Sequence, residues 1–330
     1  MYYQDKLHSL QEIFGTEQIE VTADRLTVDG RSYPILDDVI VLTAPSEYTA
    51  YVRQRLGQAA TGAAGGAYAE DVQFSFGEEW KAYAELLPEH EQEFRQYFDL
   101  VELAQLRGKR VCDLGCGMGR WSHFLQAHVA ELVLLDFSDA IFVARKNLAS
   151  AGNCLFFMGD LQQLSFNPDF ADLIFSLGVL HHLPTPCLDE VRKLKVYSPR
   201  VLVFLYYALD NRPWYFRALL RLVTAVRRLV CGVRSPWFRK LFSLAGTFGV
   251  YLPLVLLGRL LKPFGLASRV PLHDFYRSKS VQRIEQDVYD RFFTSIEQRV
   301  SRAEILALSD TFSRVRVSEG LPYWHFLCER

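Results

Sequence analysis

The 330-residue chain has few cysteines, no apolar leader and almost no net charge. Its six cysteines form no C-x-x-C pair, which argues against a zinc or dithiol site and favours a reduced cytosolic protein. The first fifteen residues lack the apolar core of a signal peptide. A net charge of −1 gives no reason to expect a nucleic-acid partner.

Acidic residues are missing from one long block, residues 211–273, which contains eleven arginines and lysines. Without this block the rest of the chain carries a net charge of −12. Such segregation indicates that the block faces something anionic.

The same block is strongly apolar. In residues 213–230, Arg217, Arg221 and Arg228 fall on one helical face and aliphatic residues on the other, which is typical of a helix in a membrane interface. Residues 241–258 carry no charge and are long enough to span a membrane.

A full span conflicts with the strands expected after the block, which would lie across the membrane from the rest of the sheet. Gly246, Gly249 and Pro253 also interrupt the apolar run. We therefore expect a helical hairpin that dips into one leaflet or lies on an anionic membrane surface. The alternative is a buried cap over the active site, with its arginines bound to the acidic main domain. The two arrangements can coexist.

Strand and helix patterns alternate from Lys109 onward, which favours parallel strands with right-handed crossovers. The prediction is an α/β fold: a doubly wound, Rossmann-like, seven-stranded, mostly parallel sheet with an N-terminal β-hairpin unit and a helical insertion before the last helix. The predicted units are a small β-rich unit (1–45), a helical segment with a Gly/Ala-rich linker and lid (46–108), the core (109–210 and 274–330) and the cationic amphipathic insertion (211–273).

One stretch, VCDLGCGMGRW (residues 111–121), predicts a ligand site. A β-type run ends in Asp113 and opens into a loop with Gly115, Gly117 and Gly119 before a helical pattern. Glycines let a ligand approach the backbone beside a helix N-terminus. Dinucleotides and S-adenosylmethionine both use such loops, but the dinucleotide pattern G-x-G-x-x-G requires glycine where this chain has Arg120.

The pattern D-x-G-x-G-x-G resembles the first motif of class I S-adenosylmethionine-dependent methyltransferases. By that resemblance Asp113 helps to hold the methionyl amino group, and the helix N-terminus meets the methionyl carboxylate. Asp136, at the end of LVLLD, would accept the ribose hydroxyls. Asp160, in FMGDL, would accept from the adenine amino group. The full set of predicted cofactor residues is Asp113, Gly115, Cys116, Gly117, Gly119, Asp136, Phe137, Asp160, Leu161 and Leu177.

The stretch DLIFSLGVLHHLP (residues 172–184) resembles the VLHHL loop of small-molecule methyltransferases. It places His181 and His182 beside the expected methyl group, where either imidazole, titrating near neutrality, can act as general base. The alternative is that they hold the loop by hydrogen bonds. No metal is implied.

Two flanking features extend the resemblance. The hairpin in residues 26–42 resembles that of small zinc-ribbon-like methyltransferase activators without their zinc cysteines, and a β-meander packed on the main domain is the alternative. Phe76 and Trp80 resemble a lid over the cofactor. Tyr289, Phe292 and Phe293 are candidates to line an acceptor pocket.

The resemblance implies methyl transfer from S-adenosylmethionine to an acceptor, which the cationic block suggests is an oxygen of a lipophilic or membrane-associated small molecule. Alternatives are a methyltransferase for a soluble glycan or secondary metabolite, a nicotinamide oxidoreductase, and a non-catalytic adaptor that docks at membranes. We expect a cytoplasmic protein, peripheral at the inner face of the membrane, with no nucleic-acid partner.

Overall fold

The computed structural model describes residues 2–58 and 85–330. The strands in this part of the chain are β1 (Ile19–Val21), β2 (Arg25–Val28), β3 (Arg31–Leu36), β4 (Val39–Val41), β5 (Arg110–Leu114), β6 (Glu131–Asp136), β7 (Cys154–Met158), β8 (Leu173–Leu177), β9 (Arg200–Phe204), β10 (Arg314–Val317) and β11 (Phe326–Glu329). The helices are α1 (Leu7–Phe14), α2 (Ala50–Arg55), α3 (Glu89–Tyr97), α4 (Arg120–Leu125), α5 (Ala140–Asn147), α6 (Cys187–Leu194), α7 (Trp214–Val230), α8 (Pro236–Gly246), α9 (Leu252–Leu261), α10 (His273–Tyr276), α11 (Val281–Phe293) and α12 (Arg302–Leu306).

The described strands form one sheet with the order β1-β2-β3-β4-β7-β6-β5-β8-β9-β11-β10. Six neighbouring strands, from β4 to β9 in that order, run parallel. Strand β11 pairs antiparallel with β9, and β10 pairs antiparallel with β11. The mostly parallel, Rossmann-like sheet predicted from the sequence is confirmed.

The predicted count of seven strands is wrong, because eleven strands are joined in the described part of the sheet. The seven expected strands form one block from β7 to β10, and the four N-terminal strands extend it through the parallel pair β4–β7. Val39, Ile40 and Val41 are all fully buried. A strand that is apolar on both faces needs cover on both faces, so β4 lies inside the main sheet and is not a separate unit.

The core has two layers because successive strand residues point to opposite faces of the sheet. In β7, Leu155 and Phe157 belong to one apolar cluster, whereas Cys154, Phe156 and Met158 belong to the other. Helices α1, α6 and α12 contribute to the first cluster, and α3, α4 and α5 contribute to the second. The sheet is therefore doubly wound. Helices cover both of its faces, and the ends of the strands remain available for ligand binding.

The helices between β9 and α12 have an apolar cluster of their own. Its buried members are Tyr251, Val255, Tyr276, Ile284, Val288, Tyr289, Phe292 and Phe293. The predicted boundary at residue 273 falls inside this unit, since α11 packs on α7 and α8. The last three residues, proposed from the sequence to line an acceptor pocket, are buried in this cluster.

The expected interruption of the apolar run at Gly246, Gly249 and Pro253 is wrong. Residues Pro236–Phe264 form one continuous helical stretch of 29 residues. Its middle, Thr247–Tyr251, is a π-helical turn directly before Pro253. A proline lacks the backbone N–H that an α-helix requires, and a wider π turn accommodates the mismatch without ending the helix. The chain turns instead at residues 231–235, between α7 and α8.

Candidate active site

The predicted cofactor residues lie at the carboxyl edge of the sheet, where β5, β6, β7 and β8 end. From β5 the chain winds through β6 and β7 to one side, and β8 and β9 lie on the other. The strand order therefore reverses between β5 and β8. Ligands of open α/β sheets bind in the crevice at such a switch point.

Gly115 shows why the loop after β5 needs glycine. Its φ is +77°, and a Cβ at this position would lie 2.5 Å from Cγ1 of Val179, which follows β8. The loop and the segment leading to His181 therefore touch without room for a side chain. Gly119, with φ +75°, precedes the first residue of α4, and Gly117 also has a positive φ. The glycines thus form a backbone cradle at a helix N-terminus, as a small ligand requires.

Asp113 is buried at the end of β5 and accepts a hydrogen bond from Oγ of Ser122 at 2.7 Å. Burial raises the pKa of its carboxyl group from 3.8 to about 8. Burial disfavours the carboxylate form, and a cation bound beside it would stabilise that form. The side chain therefore fits the predicted neighbour, an amino group.

Asp136 joins two loops of the site. Its Oδ2 accepts the backbone N–H of Gly117 at 2.8 Å, and its Oδ1 accepts the N–H and hydroxyl of Ser138 at 2.8 and 2.7 Å. Its backbone carbonyl accepts the N–H of Gly159 at 3.0 Å, which brings the end of β7 alongside. Burial raises the pKa of Asp136, although these hydrogen bonds oppose the shift. Phe137 follows it at the rim and is half-buried.

Asp160 caps the turn that follows β7. Its Oδ1 accepts the N–H of Gln162 at 2.9 Å, and its Oδ2 accepts from Nε2 of Gln163 at 3.2 Å. Leu161 and Leu177 are half-buried and pack against the two main apolar clusters. Cys116 is buried in the loop, and burial raises the pKa of its thiol well above the usual value. Contacts of Gly115 with Val179, Gly117 with Asp136, and Asp136 with Gly159 connect these loops into one site.

His181 and His182 are buried at the end of β8, in the turn Leu180–His182. The ring of His181 stacks on that of Tyr206, with centroids 3.9 Å apart. Neither ring nitrogen of His181 has a hydrogen-bond partner among the described residues. Nδ1 of His182 lies 2.7 Å from the carbonyl oxygen of Ile296.

The expectation that His181 titrates near neutrality is wrong. Complete burial, followed by the charges of His182 and Arg299, lowers its pKa well below 6.5. The imidazole is therefore neutral at physiological pH, with a lone pair that can accept a hydrogen bond but only a weak tendency to keep a proton.

Sequence reasoning missed the polar surroundings of these histidines. Residues 294–300, which we call the return segment, lead from the helical insertion back to the core. Within it, the N–H of Gln298 donates to the carbonyl of His181 at 2.9 Å, and that of Val300 donates to the carbonyl of Tyr206 at 2.9 Å. Oη of Tyr206 donates to Asp290 at 2.6 Å. Tyr206 and Tyr207, which follow β9, are the only sign of these contacts in the sequence. Asp290, which binds Tyr206, lies more than 80 residues further along the chain.

Two other expectations concern a lid over the cofactor and a metal site. Phe76 and Trp80, proposed as a lid, lie outside the described residues. Within residues 2–58 and 85–330, no group of three or more His, Cys, Asp or Glu side chains is arranged to hold a metal ion.

Residues 111–194 match the sequence model of a family described as a methyltransferase domain. The matched range includes the glycine cradle, Asp136, Asp160 and both histidines. The predicted class I methyltransferase domain is thereby confirmed for this part of the chain, and the cofactor that such a domain implies is S-adenosylmethionine. The proposed likeness of the N-terminal hairpin to zinc-ribbon activators lies outside the match and stays a prediction.

Several curated proteins are similar to the chain over part of their length. The ubiquinone biosynthesis O-methyltransferase of Coxiella burnetii is 32% identical over 83 residues, which are 24% of this chain and 36% of that protein. The Aliivibrio fischeri protein of the same name is 29% identical over 130 residues, or 38% and 55%. That of Hahella chejuensis is 28% identical over 140 residues, or 42% and 58%. The chain therefore spans 36% to 58% of these relatives.

Two solved structures with some similarity are named as methyltransferases. The magnesium protoporphyrin IX methyltransferase of Synechocystis PCC 6803, with bound SAH, has a TM-score of 0.38 and 22% identity, covering 49% of this chain and 80% of that one. An S-adenosylmethionine-dependent methyltransferase of Mesorhizobium loti has a TM-score of 0.31 and 23% identity, covering 36% and 54%. Because both TM-scores are low, neither similarity carries an argument about function.

Proposed function

We propose that the protein transfers a methyl group from S-adenosylmethionine to an oxygen of a lipophilic small molecule. The observation that carries the proposal is the connected site at the switch point. The glycine cradle touches the segment leading to His181 through Gly115 and binds Asp136 through Gly117. A donor site and a position for an acceptor are thus adjacent.

The chain offers one group for each part of the cofactor. We assign Asp113 to the amino group, the backbone of the glycine cradle to the carboxylate, Asp136 to the ribose hydroxyls and Asp160 to the adenine amino group. The half-buried Phe137, Leu161 and Leu177 supply apolar surface for the adenine ring. When bound, the cofactor supplies an electrophilic methyl group on a sulfonium centre.

On the acceptor side, His181 follows two residues after Val179, which lies against the cradle at Gly115, and its imidazole can receive a hydrogen bond. Its neutral imidazole has no competing partner among the described residues. A hydroxyl that donates to this imidazole is oriented with its lone pair toward the donor site, which favours transfer to oxygen. Since the pKa of His181 is depressed, this role is chiefly orientation, and a more acidic hydroxyl would be the better acceptor.

The lipophilic character of the acceptor is inferred from the helical insertion. Large exposed apolar side chains are concentrated there: Trp214, Leu219, Leu222, Leu229, Trp237, Leu241, Phe248, Val250, Leu256, Leu257, Leu260 and Phe264. Arg217, Arg221, Arg228, Arg259 and Lys262 are exposed on the same helices. Apolar side chains interleaved with cations suit an anionic phospholipid surface.

Peripheral docking fits the structure better than a membrane span. The stretch Pro236–Phe264 is long and apolar enough to cross a membrane, and its 18-residue apolar window has a mean hydropathy of 1.8 with 28% of the window buried. However, Tyr251 and Val255 on the inner face of this stretch pack against α11. In addition, strand β11 follows the stretch in the chain and pairs with β9, which precedes the stretch. The helix can therefore present only one face to lipid. Buried Arg227 and Arg239 of the same helices bind the carbonyls of Thr294 and Val233, and a cap whose arginines bind the acidic main domain stays a prediction.

Calorimetry with S-adenosylhomocysteine and with NADH tests the donor. We expect heat of binding with the first ligand alone, weakened at least tenfold by Asp136→Asn. The matched control is Asp172→Asn, at the opposite edge of the sheet, where Asp172 binds Lys109 and the N–H of Arg110. Binding of NADH, or no binding of S-adenosylhomocysteine, would refute the proposed donor.

Flotation with vesicles of anionic phospholipid tests the surface. Replacing Arg217, Arg221 and Arg228 with glutamate should lower partitioning at least 100-fold, since each basic residue near such a surface contributes about 1 kcal/mol. The control replaces Arg31, Arg107 and Lys146, which are exposed outside the insertion, with glutamate. If the wild type does not float at low salt, or both triple variants lose binding equally, peripheral docking through the insertion is wrong and a soluble acceptor with the insertion as a lid is favoured.

A further inference from the structure

A cluster of three arginines lies behind His181, where the insertion meets the core. Arg227 comes from α7, Arg291 from α11 and Arg299 from the return segment. The guanidinium carbons of Arg291 and Arg299 lie 5.9 and 5.3 Å from the centroid of the Tyr206 ring, on which His181 stacks. Nη1 of Arg227 donates to the carbonyl of Thr294 at 3.2 Å, at the start of the return segment.

Two carboxylates accompany these arginines in the described part of the chain. Asp290 is already engaged, because it accepts from Tyr206 at 2.6 Å and from the hydroxyl of Thr294 at 3.2 Å. Glu297 accepts from Nε of Arg299 at 2.7 Å. Burial opposes its ionisation, but Arg299, Arg291 and Arg227 together hold its pKa below the usual value. Glu297 is therefore charged, and the cluster has three guanidinium groups for two carboxyl groups, one of which is already engaged with Tyr206 and Thr294.

The hydrogen bonding shows the same imbalance. Buried nitrogen atoms on all three side chains lack a partner among the described residues: Nε of Arg227, Nε of Arg291 and Nη2 of Arg299. Burial and the neighbouring charge of Arg291 lower the pKa of Arg299, although Glu297 opposes this. Buried, unsatisfied guanidinium N–H groups are costly, and a bound oxyanion would supply the acceptors that they lack.

We propose that Arg227, Arg291 and Arg299 form a recognition site for a carboxylate carried by the methyl acceptor. A guanidinium group offers paired N–H donors that match the two oxygens of a carboxylate. A single carboxylate neutralises the excess charge of the cluster, whereas a phosphate monoester carries more negative charge than the cluster can balance. The stacked rings of His181 and Tyr206 provide an aromatic surface beside it.

This inference rests on the proposed function, because it names a class of acceptor for the same site. With the acceptor's carboxylate bound to the arginines, its hydroxyl is directed toward His181 and the glycine cradle. The helical insertion then contributes to acceptor binding through α7 and α11 as well as to docking. The substrate class is a lipophilic hydroxy acid.

Binding of small probes to the cofactor-free full-length protein tests the cluster independently of the methyl donor. Benzoate and its neutral analogue benzamide are titrated by calorimetry, with phenyl phosphate as a third probe. We expect benzoate to bind at least ten times more tightly than benzamide, and more tightly than phenyl phosphate. Arg299→Gln should remove the preference for benzoate, and Arg299→Lys should retain part of it.

Arg228→Gln is the matched control, since Arg228 is exposed one residue from Arg227 on α7. This variant should keep the preference, and Arg227→Gln should lose it. If Arg299→Gln does not show a wild-type circular dichroism spectrum, Arg227→Gln is used as the test variant in its place. Equal binding of benzoate and benzamide, absence of binding, tighter binding of phenyl phosphate, or an equal loss in the Arg228 variant would each overturn the proposal. Failure to bind S-adenosylhomocysteine would instead refute the proposed donor.

Discussion

Replacing Gly115 by alanine is the most informative single perturbation of the candidate site. The residue has φ +77°, which an L-residue with a Cβ adopts at a cost of about 1–2 kcal/mol. The new Cβ would also lie 2.5 and 2.6 Å from the two γ carbons of Val179. Val179 is β-branched and stiff at χ1, so it cannot rotate away freely, and the segment leading to His181 must shift.

A comparison with Gly108 separates the two contributions. Gly108 has a similar φ of +74° but nothing within 4 Å of a Cβ. Gly108→Ala should therefore lower the free energy of unfolding by about 1–2 kcal/mol, from conformation alone. Gly115→Ala should lower it by about 2–5 kcal/mol, because overpacking adds about 1–3 kcal/mol.

Urea unfolding and calorimetry with S-adenosylhomocysteine measure both effects. We expect the affinity to fall at least tenfold in Gly115→Ala and to be unchanged in Gly108→Ala. Adding Val179→Ala to Gly115→Ala should recover part of the lost stability, since it removes both γ carbons. If Gly115→Ala is no more destabilising than Gly108→Ala and binds the ligand normally, the close contact between the two loops does not shape the site.

Three further predictions follow from buried charged and polar groups. Because the pKa of Asp113 is raised to about 8 in the folded protein, its contribution is present at low pH and is lost as the pH rises through 8. The cofactor-free wild type should thus lose stability relative to Asp113→Asn between about pH 4 and 8 in urea unfolding, and a pH-independent difference would contradict this. Glu93 is buried with Lys279 and Arg283, which hold its pKa to about 2 although burial opposes ionisation, so Glu93→Gln should lower the free energy of unfolding by about 3–5 kcal/mol. The control Glu91→Gln, which breaks an exposed pair with Arg95, should cost about 0.5 kcal/mol or less, and similar losses would show that burial of the network is unimportant. His181→Ala should lower kcat about 100-fold with the affinity for S-adenosylhomocysteine unchanged, and an unaltered kcat would remove His181 from the acceptor site.

The predicted sheet and the shared position of the candidate site residues at one edge of it depend on local patterns. The glycines follow β5, Asp136 ends β6 and Asp160 follows β7, and the apolar runs of these strands are easily recognised. Parallel strands bring their carboxyl ends to one edge of the sheet. The closing strands β10 and β11 correspond to the strands expected after the cationic block. These features need no knowledge of long-range contacts.

What the sequence did not reveal depends on contacts between distant residues. The run Val39–Val41 gave no sign that it pairs with β7, and only complete burial of all three side chains explains why it joins the main sheet. The interruption expected at Pro253 was absorbed by a π turn. The low pKa of His181 results mainly from its burial beside Tyr206 and the return segment. The return segment follows the helical insertion, so it is distant from His181 in the chain.

We propose that the connected site at the carboxyl edge of the sheet transfers methyl groups to lipophilic acceptors. The most direct measurement is mass spectrometry of lipid extracts incubated with the protein and methyl-labelled S-adenosylmethionine. We expect the label on an oxygen of a lipid-soluble product that carries a carboxylate, and none with the Asp136→Asn variant. Recovery of all label in the unreacted cofactor, from a protein that binds S-adenosylhomocysteine, would contradict the claim and favour a non-catalytic adaptor.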